Sequence, residues 1–252
     1  MKVREGDRAL ITGASYGIGE AFARELAARG VDLVLLARTE TRLRALAAEL
    51  SNVDCTVLPC DLRLGTPSLE AIGRIDLLVN NAGFGLFGPF EEQDPEGISG
   101  MVQVNVRAPV ELARAVAPQM VQRRRGGIIN VGSVVSIMVL PYMAEYAASK
   151  AFMLTFSQAL HAEYAARGVT VTALLPGMTS TRFASISHTP GNLGPRQTAT
   201  QVAHTGLKAL EAGRATAVSG WFNVLGAAAI KLTPRMVFAR LWALSQGPKT
   251  RP

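Results

Sequence analysis

Tyr146 and Lys150 occur in the run Tyr146-Ala147-Ala148-Ser149-Lys150, and Ser133 stands thirteen residues before the tyrosine. Four residues apart on a helix, the phenol and the ammonium share one face. A lysine ammonium beside a phenol favours the phenolate, and is expected to lower a pKa that is ~10 when unperturbed. Such a tyrosine gives or takes a proton near neutral pH. The Ser133 hydroxyl could hold a carbonyl oxygen next to it. The same spacing also describes an ordinary solvated helix face, so its meaning depends on what the rest of the chain places around it.

The first forty residues supply that context. A strand-like run, Ala9-Leu10-Ile11, leads into Thr12-Gly13-Ala14-Ser15-Tyr16-Gly17-Ile18-Gly19. A helical run from Glu20 to Arg29 follows, stopped by Gly30, and a second strand covers Val31 to Ala37. Strand, glycine-rich turn, helix and strand make a βαβ unit. The glycines let backbone approach a pyrophosphate, whose charge is favoured by the amides and dipole of the helix N-terminus.

Further strands are expected at 53–59, 75–79, 127–132, 169–175 and 215–219, and helices near 39–50, 96–123, 144–167 and 198–212. This alternation predicts an α/β fold: a parallel sheet with right-handed crossovers and helices on both faces. Residues 1–220 read as one domain. Residues 221–252 read as an apolar, basic C-terminal extension packed on the domain or at a subunit interface. Ligands in such sheets bind beyond the carboxyl ends of the strands. Gly13, Asp61, Asn80, Ser133 and Pro176 each follow a predicted strand, and so converge on one edge.

Five motifs agree in order and spacing: Thr12-Gly13-x-x-x-Gly17-x-Gly19, Asp61-Leu62, Asn80-Asn81-Ala82-Gly83, Ser133 with Tyr146-x-x-x-Lys150, and Pro176-Gly177-x-x-x-Thr181. With them the chain resembles the short-chain dehydrogenase/reductase family from about residue 7 to about 185. The resemblance implies that residues 1–220 form a single Rossmann-like, doubly wound dinucleotide-binding and catalytic domain with a substrate loop at about 178–197. It implies oxidation or reduction of a carbonyl/alcohol pair with NAD(P), in a homodimer or homotetramer built through helices near 108–123 and 144–167. It further implies catalytic roles for Ser133, Tyr146 and Lys150, and for Asn105, which would position a water leading protons toward Lys150. A backbone-bonded asparagine in a bent helix is the other reading of Asn105. Cofactor contacts are implied for Gly13, Ser15, Gly17, Ile18, Gly19, Asp61, Leu62, Asn80, Ala82, Gly83, Pro176, Gly177 and Thr181, besides Tyr146 and Lys150. Asp61 also reads as a turn or helix-cap residue, and Asn80 as a tie between strands.

Cofactor choice turns on Arg38, at the end of the second strand. An acid there would meet the ribose hydroxyls of NAD, whereas a guanidinium binds a 2′-phosphate. Arg42, one turn on, could assist, and NADPH is expected ahead of NADH. In the reductive direction Tyr146 protonates the developing alkoxide while Ser133 hydrogen-bonds it. The expected substrate is a lipophilic carbonyl, a 3-oxoacyl thioester or steroid-like ketone, with oxidation of a secondary alcohol or sugar as the alternative. A cofactor-binding regulator with a silent site is the reading from another class.

Two cysteines, Cys55 and Cys60, are expected as free thiols in a reducing, cytoplasmic setting, and no signal peptide is expected before the first strand. His161, His188 and His204 lack metal-ligand spacing, so no metal is expected. Met138, Met143, Met153 and Met178 are candidates for an apolar pocket or for core packing. The formal net charge is +7. Arg123-Arg124-Arg125 reads as a helix C-terminal cluster, and no aromatic stripe accompanies it, so nucleic-acid binding is not expected. After Glu211 the chain has no acid but carries Arg214, Lys231, Arg235, Arg240, Lys249 and Arg251. The apolar stretch Trp221–Ile230 is too short to span a bilayer. It is read as a tail over the pocket or against a subunit, with peripheral attachment to anionic lipid, or docking of an acidic acyl carrier, as the alternative.

Overall fold

The computed structural model describes residues 1–181 and 195–246. Seven strands lie in it: β1 (Arg8–Thr12), β2 (Asp32–Ala37), β3 (Cys55–Pro59), β4 (Leu77–Asn80), β5 (Gly126–Val131), β6 (Val169–Leu175) and β7 (Thr216–Val218). They form one parallel sheet in the order β3-β2-β1-β4-β5-β6-β7. The inner strands read as continuous apolar runs because helices cover both faces. Leu33, Val34, Leu35 and Leu36 of β2 are all buried, whereas edge strand β3 ends in Pro59 and leaves alternate residues partly open.

The helices are α1 (Gly17–Ala27), α2 (Glu40–Glu49), α3 (Leu69–Ile72), α4 (Pro95–Val102), α5 (Ala108–Gln122), α6 (Ala144–Tyr164), α7 (Ala199–Glu211), α8 (Trp221–Leu232) and α9 (Arg235–Gln246). Alternation along the strands builds two cores. Ile11, Leu33 and Leu35 pack with Phe22 and Leu26 of α1 and Leu207 of α7. Leu10, Val34 and Leu78 pack on the other face with Leu112 and Val116 of α5. The fold is Rossmann-like. Because the chain turns from β1 outward to β2 and β3, then returns to β4, the strand order reverses beside β1. That reversal opens a crevice at the carboxyl ends.

One predicted element divides. The helix expected over 96–123 is α4, then a π-helical turn Gln103–Arg107, then α5. Pro109 has no N–H to donate to the carbonyl of Asn105, four residues back, which leaves a gap in the α-ladder at this point. The ladder widens instead, and Ala108 donates to Gln103.

The arginine cluster lies at the C-terminus of α5, as the sequence suggested, with Arg123 at the cap, and it also finds acidic partners. Arg123 and Arg125 fold inward onto Asp76, which is 1% exposed, and Arg125 pairs with Asp7 at 2.7 Å. Arg124 donates to the Ala166 carbonyl. Buried carboxylates require such partners, so two of the three arginines neutralise acids inside the fold. Cys55 and Cys60 are free, half-buried thiols whose pKa values burial pushes up. Most of the predicted substrate loop, with His188, Pro190, Gly191 and Gly194, lies outside the described residues, as do Lys249 and Arg251.

Candidate active site

The glycine turn joins β1 to α1. Gly13 and Gly17 both adopt positive φ, and a Cβ on Gly19 would collide with the Gly13 carbonyl. Thr181 lies against Gly17, where any Cβ would meet its methyl group. The first turn of α1 has no side-chain cap hydrogen bond at Tyr16, and the leading amides of a helix suit an anion. The turn therefore fits a pyrophosphate. Ser15 is half-buried in the turn, and the half-buried Ile18 packs against the first core.

Thr12 ties this turn to β4. Its hydroxyl accepts 2.9 Å hydrogen bonds from the Asn81 and Ala82 amides, while the Asn81 side chain donates to the Thr12 carbonyl at 2.9 Å. Asn80 takes its strand-tying reading. Its amide donates to Asn130 at 2.9 Å and to the Pro109 carbonyl, inside the sheet. Leu62 is 5% exposed, and its side chain is part of the second core.

Arg38 is exposed at the end of β2. Arg42 stacks its guanidinium 4.1 Å from the centre of the Tyr16 ring. Asp61 caps its own turn by accepting from the Arg63 amide, and pairs with the Arg63 guanidinium at 2.6 Å. Arg63 foremost, and Arg38 in smaller part, hold the Asp61 carboxyl below its ordinary range.

The chemistry gathers at the ends of β5 and α6. Ser133 follows β5 and caps the 3₁₀ turn Val134–Ile137, accepting from the Val135 amide at 3.3 Å. Tyr146 and Lys150 are 7% and 5% exposed. Burial pushes the Tyr146 phenol well above its ordinary pKa, and a hydrogen bond with Ser133 pulls it partly back. Burial pushes Lys150 down to about 8. The expectation that Lys150 depresses the Tyr146 pKa therefore fails here. The ammonium is 5.8 Å from the ring centre, donates to the Val131 carbonyl at 3.0 Å, and is itself desolvated.

Asn105 sits in the π turn with its side chain fully engaged. Its oxygen accepts from the Phe84 amide, and its nitrogen donates to the Phe84 carbonyl and to Ser149. The bent-helix, backbone-bonded reading is the one displayed. Gly83 passes between Asn105 and Lys150, where a Cβ would lie 3.0 Å from the one and 3.3 Å from the other. Pro176 accepts from the Val134 amide at 2.9 Å, which sets the end of β6 beside Ser133.

Three contributors had no motif to reveal them. Asn223 of α8 lies directly over Gly177, leaving no room for a Cβ there. Phe238 and Trp242, one turn apart on α9 and stacked at 6.3 Å, join Met101, Leu140 and Met143 in the apolar cluster around Tyr146. The indole N–H of Trp242 is buried without a hydrogen-bond partner. Met138 belongs to this cluster with Met143, whereas Met153 and Met178 lie outside it. His161 bonds the Val171 carbonyl and His204 pairs with Glu25. Among the described residues no group of three His, Cys, Asp or Glu could hold a metal.

This arrangement has known counterparts. The family model described as short chain dehydrogenase matches residues 7–189. The chain belongs to this family. It is 35% identical over 195 residues to hydroxysteroid dehydrogenase-like protein 1 of Gallus gallus, covering 73% of this chain and 59% of that protein. It is 34% identical over 199 residues to the very-long-chain 3-oxoacyl-CoA reductase of Anas platyrhynchos, covering 72% and 62%. The chain thus spans about three fifths of the length of these curated relatives. Among solved structures it resembles the short-chain dehydrogenase from Sphingobium yanoikuyae in complex with NADPH, at 34% identity and TM-score 0.81, covering 98% of each chain.

Proposed function

We propose that the protein is an NADPH-dependent oxidoreductase reducing a lipophilic carbonyl, of the 3-oxoacyl or steroid-like class, to an alcohol. The observation that carries this reading is the apolar cluster of Met101, Leu140, Met143, Phe238 and Trp242 packed together with a buried Tyr146 that is hydrogen-bonded to Ser133; we read it as the wall that a substrate would meet. A polar substrate would lose its hydration at such a wall without compensation.

The glycine turn, Thr181 and the Pro176–Gly177 loop would hold the dinucleotide, with Arg38 and Arg42 meeting a 2′-phosphate. When bound, the cofactor supplies the hydride. Tyr146, kept protonated by burial, donates its proton to the carbonyl oxygen, and Ser133 hydrogen-bonds that same oxygen. Lys150, with a pKa of about 8, stands ready to exchange a proton near neutral pH. Asn105 acts as a positioning residue by fastening Phe84 and the β4 loop against α6. The relatives named above, a 3-oxoacyl-CoA reductase and a hydroxysteroid dehydrogenase-like protein, support a large apolar substrate. Assembly as a homodimer or homotetramer belongs to the same proposal.

Tyr146→Phe tests it. Turnover of a panel of bulky ketones with NADPH should vanish while NADPH binding stays near wild type. Substantial residual activity rejects Tyr146 as the acid, and a wild-type protein that consumes no NADPH with any ketone favours a cofactor-binding regulator.

A further inference from the structure

Charge and apolar exposure are concentrated in one segment. Residues 1–211 carry twenty basic and nineteen acidic side chains, whereas residues 212–252 carry six basic and none acidic. Nine of the fifteen large apolar side chains exposed among the described residues lie on α8 and α9. Trp221 is 76% exposed, Leu232 86% and Leu244 85%. Scattered single apolar residues need no explanation, but a run of this density on two successive helices marks a contact surface. On α9 the two faces differ in use. Phe238, Ala239 and Trp242 turn inward, while Met236, Val237, Leu241 and Leu244 face out beside the exposed Arg240.

We infer that α8 and α9 dock on an anionic lipid surface, with their outward apolar side chains in the headgroup boundary and the basic residues on the phosphates. Helices of twelve residues with exposed Trp, Phe and Leu among cations suit the plane of the interface. No helix among the described residues is long and apolar enough to cross a membrane. A second copy is a poorer occupant, because a two-fold contact would oppose two all-basic segments with no acid to pair them. The inference rests on the proposed reduction in one respect. Phe238 and Trp242 put the inner face of α9 against the Tyr146 cluster, so docking brings the site beside the phase where lipophilic carbonyls dissolve.

The full chain is sedimented with phosphatidylcholine vesicles, alone or with about a third phosphatidylglycerol, at low and high salt. It should pellet with the anionic vesicles and be released by salt. Arg235→Gln with Arg240→Gln should weaken partition about thirtyfold, and Leu241→Gln with Leu244→Gln should weaken it at every salt concentration. Unchanged melting temperatures show that both variants fold. Three results overturn the inference: no pelleting with anionic vesicles, equal pelleting with neutral ones, or a dimer that Leu241→Gln/Leu244→Gln dissociates without vesicle binding. Sedimentation is read without turnover. An inactive protein that binds vesicles therefore counts against the reduction alone, and an active one that ignores them against the docking alone.

Discussion

The Lys150 ammonium donates a 3.0 Å hydrogen bond to the Val131 carbonyl, tying α6 to the last residue of β5. Together with the 2.9 Å bond from Asn130 to Ser157, it holds the proton-carrying helix against the strand from which Ser133 emerges. It also keeps a cation in a buried place, at a cost that shows in its lowered pKa of about 8.

That cost predicts a pH dependence of stability. The folded pKa lies below the unfolded value of ~10.4, so the unfolded chain binds more protons between about pH 8 and 10.4. Stability therefore rises with pH across this window, by roughly 2 kcal/mol from pH 8 to 10. Above pH 10 the raised Tyr146 pKa acts oppositely, since the folded state then holds the extra proton. Urea unfolding of the wild type should show the rise, and Lys150→Met should flatten it. An equal slope in the variant would assign the effect elsewhere.

Arg38 should set the nucleotide preference. Arg38→Asp places a carboxylate where a 2′-phosphate would sit, and should raise the KM for NADPH at least tenfold relative to NADH, as the loss of one charge-assisted pair implies. An unchanged ratio in steady-state kinetics would remove Arg38 from recognition.

Trp242 should discriminate by substrate size. Trp242→Ala opens the apolar wall beside Tyr146 and should raise KM for bulky ketones about tenfold or more while leaving small ketones nearly unaffected. Trp242→Phe keeps a ring but removes the unpartnered N–H, so a loss confined to substrates with a second polar group would show that this donor is used.

Gly177 should be intolerant of a side chain because of Asn223. Gly177→Ala should destabilise the fold by about 1–3 kcal/mol, and Asn223→Ala in the same chain should recover most of it. A double-mutant cycle by chemical denaturation measures the coupling; additive effects would mean that α8 moves away freely.

Much of this architecture was legible in order and kind. The strand at 169–175 has the predicted bounds, and helices near 40–49 and 199–211 fall within a residue of expectation. These segments carry their own period and caps, such as Thr198 with Gln201 at the start of α7. The break at Asn105 was less legible, because two prolines, Pro109 and Pro118, lie inside the apparent helix, and only beside Pro109 does the ladder yield. The ion pairs of Arg123 and Arg125 were not legible for another reason. Their partners Asp7 and Asp76 lie some fifty to 118 residues away in sequence.

Sequence alone determined the alternation of elements, the glycine turn, and the placing of Ser133, Tyr146 and Lys150 after strands that must end on one edge. These follow from local backbone preference and from the topology of a parallel sheet. Only the tertiary structure decided the protonation of that site and its wall. The spacing of Tyr146 and Lys150 suggested a depressed phenol pKa, yet burial raises it. Desolvation is set by everything packed around a group, including Phe238 and Trp242 from a helix nearly a hundred residues downstream.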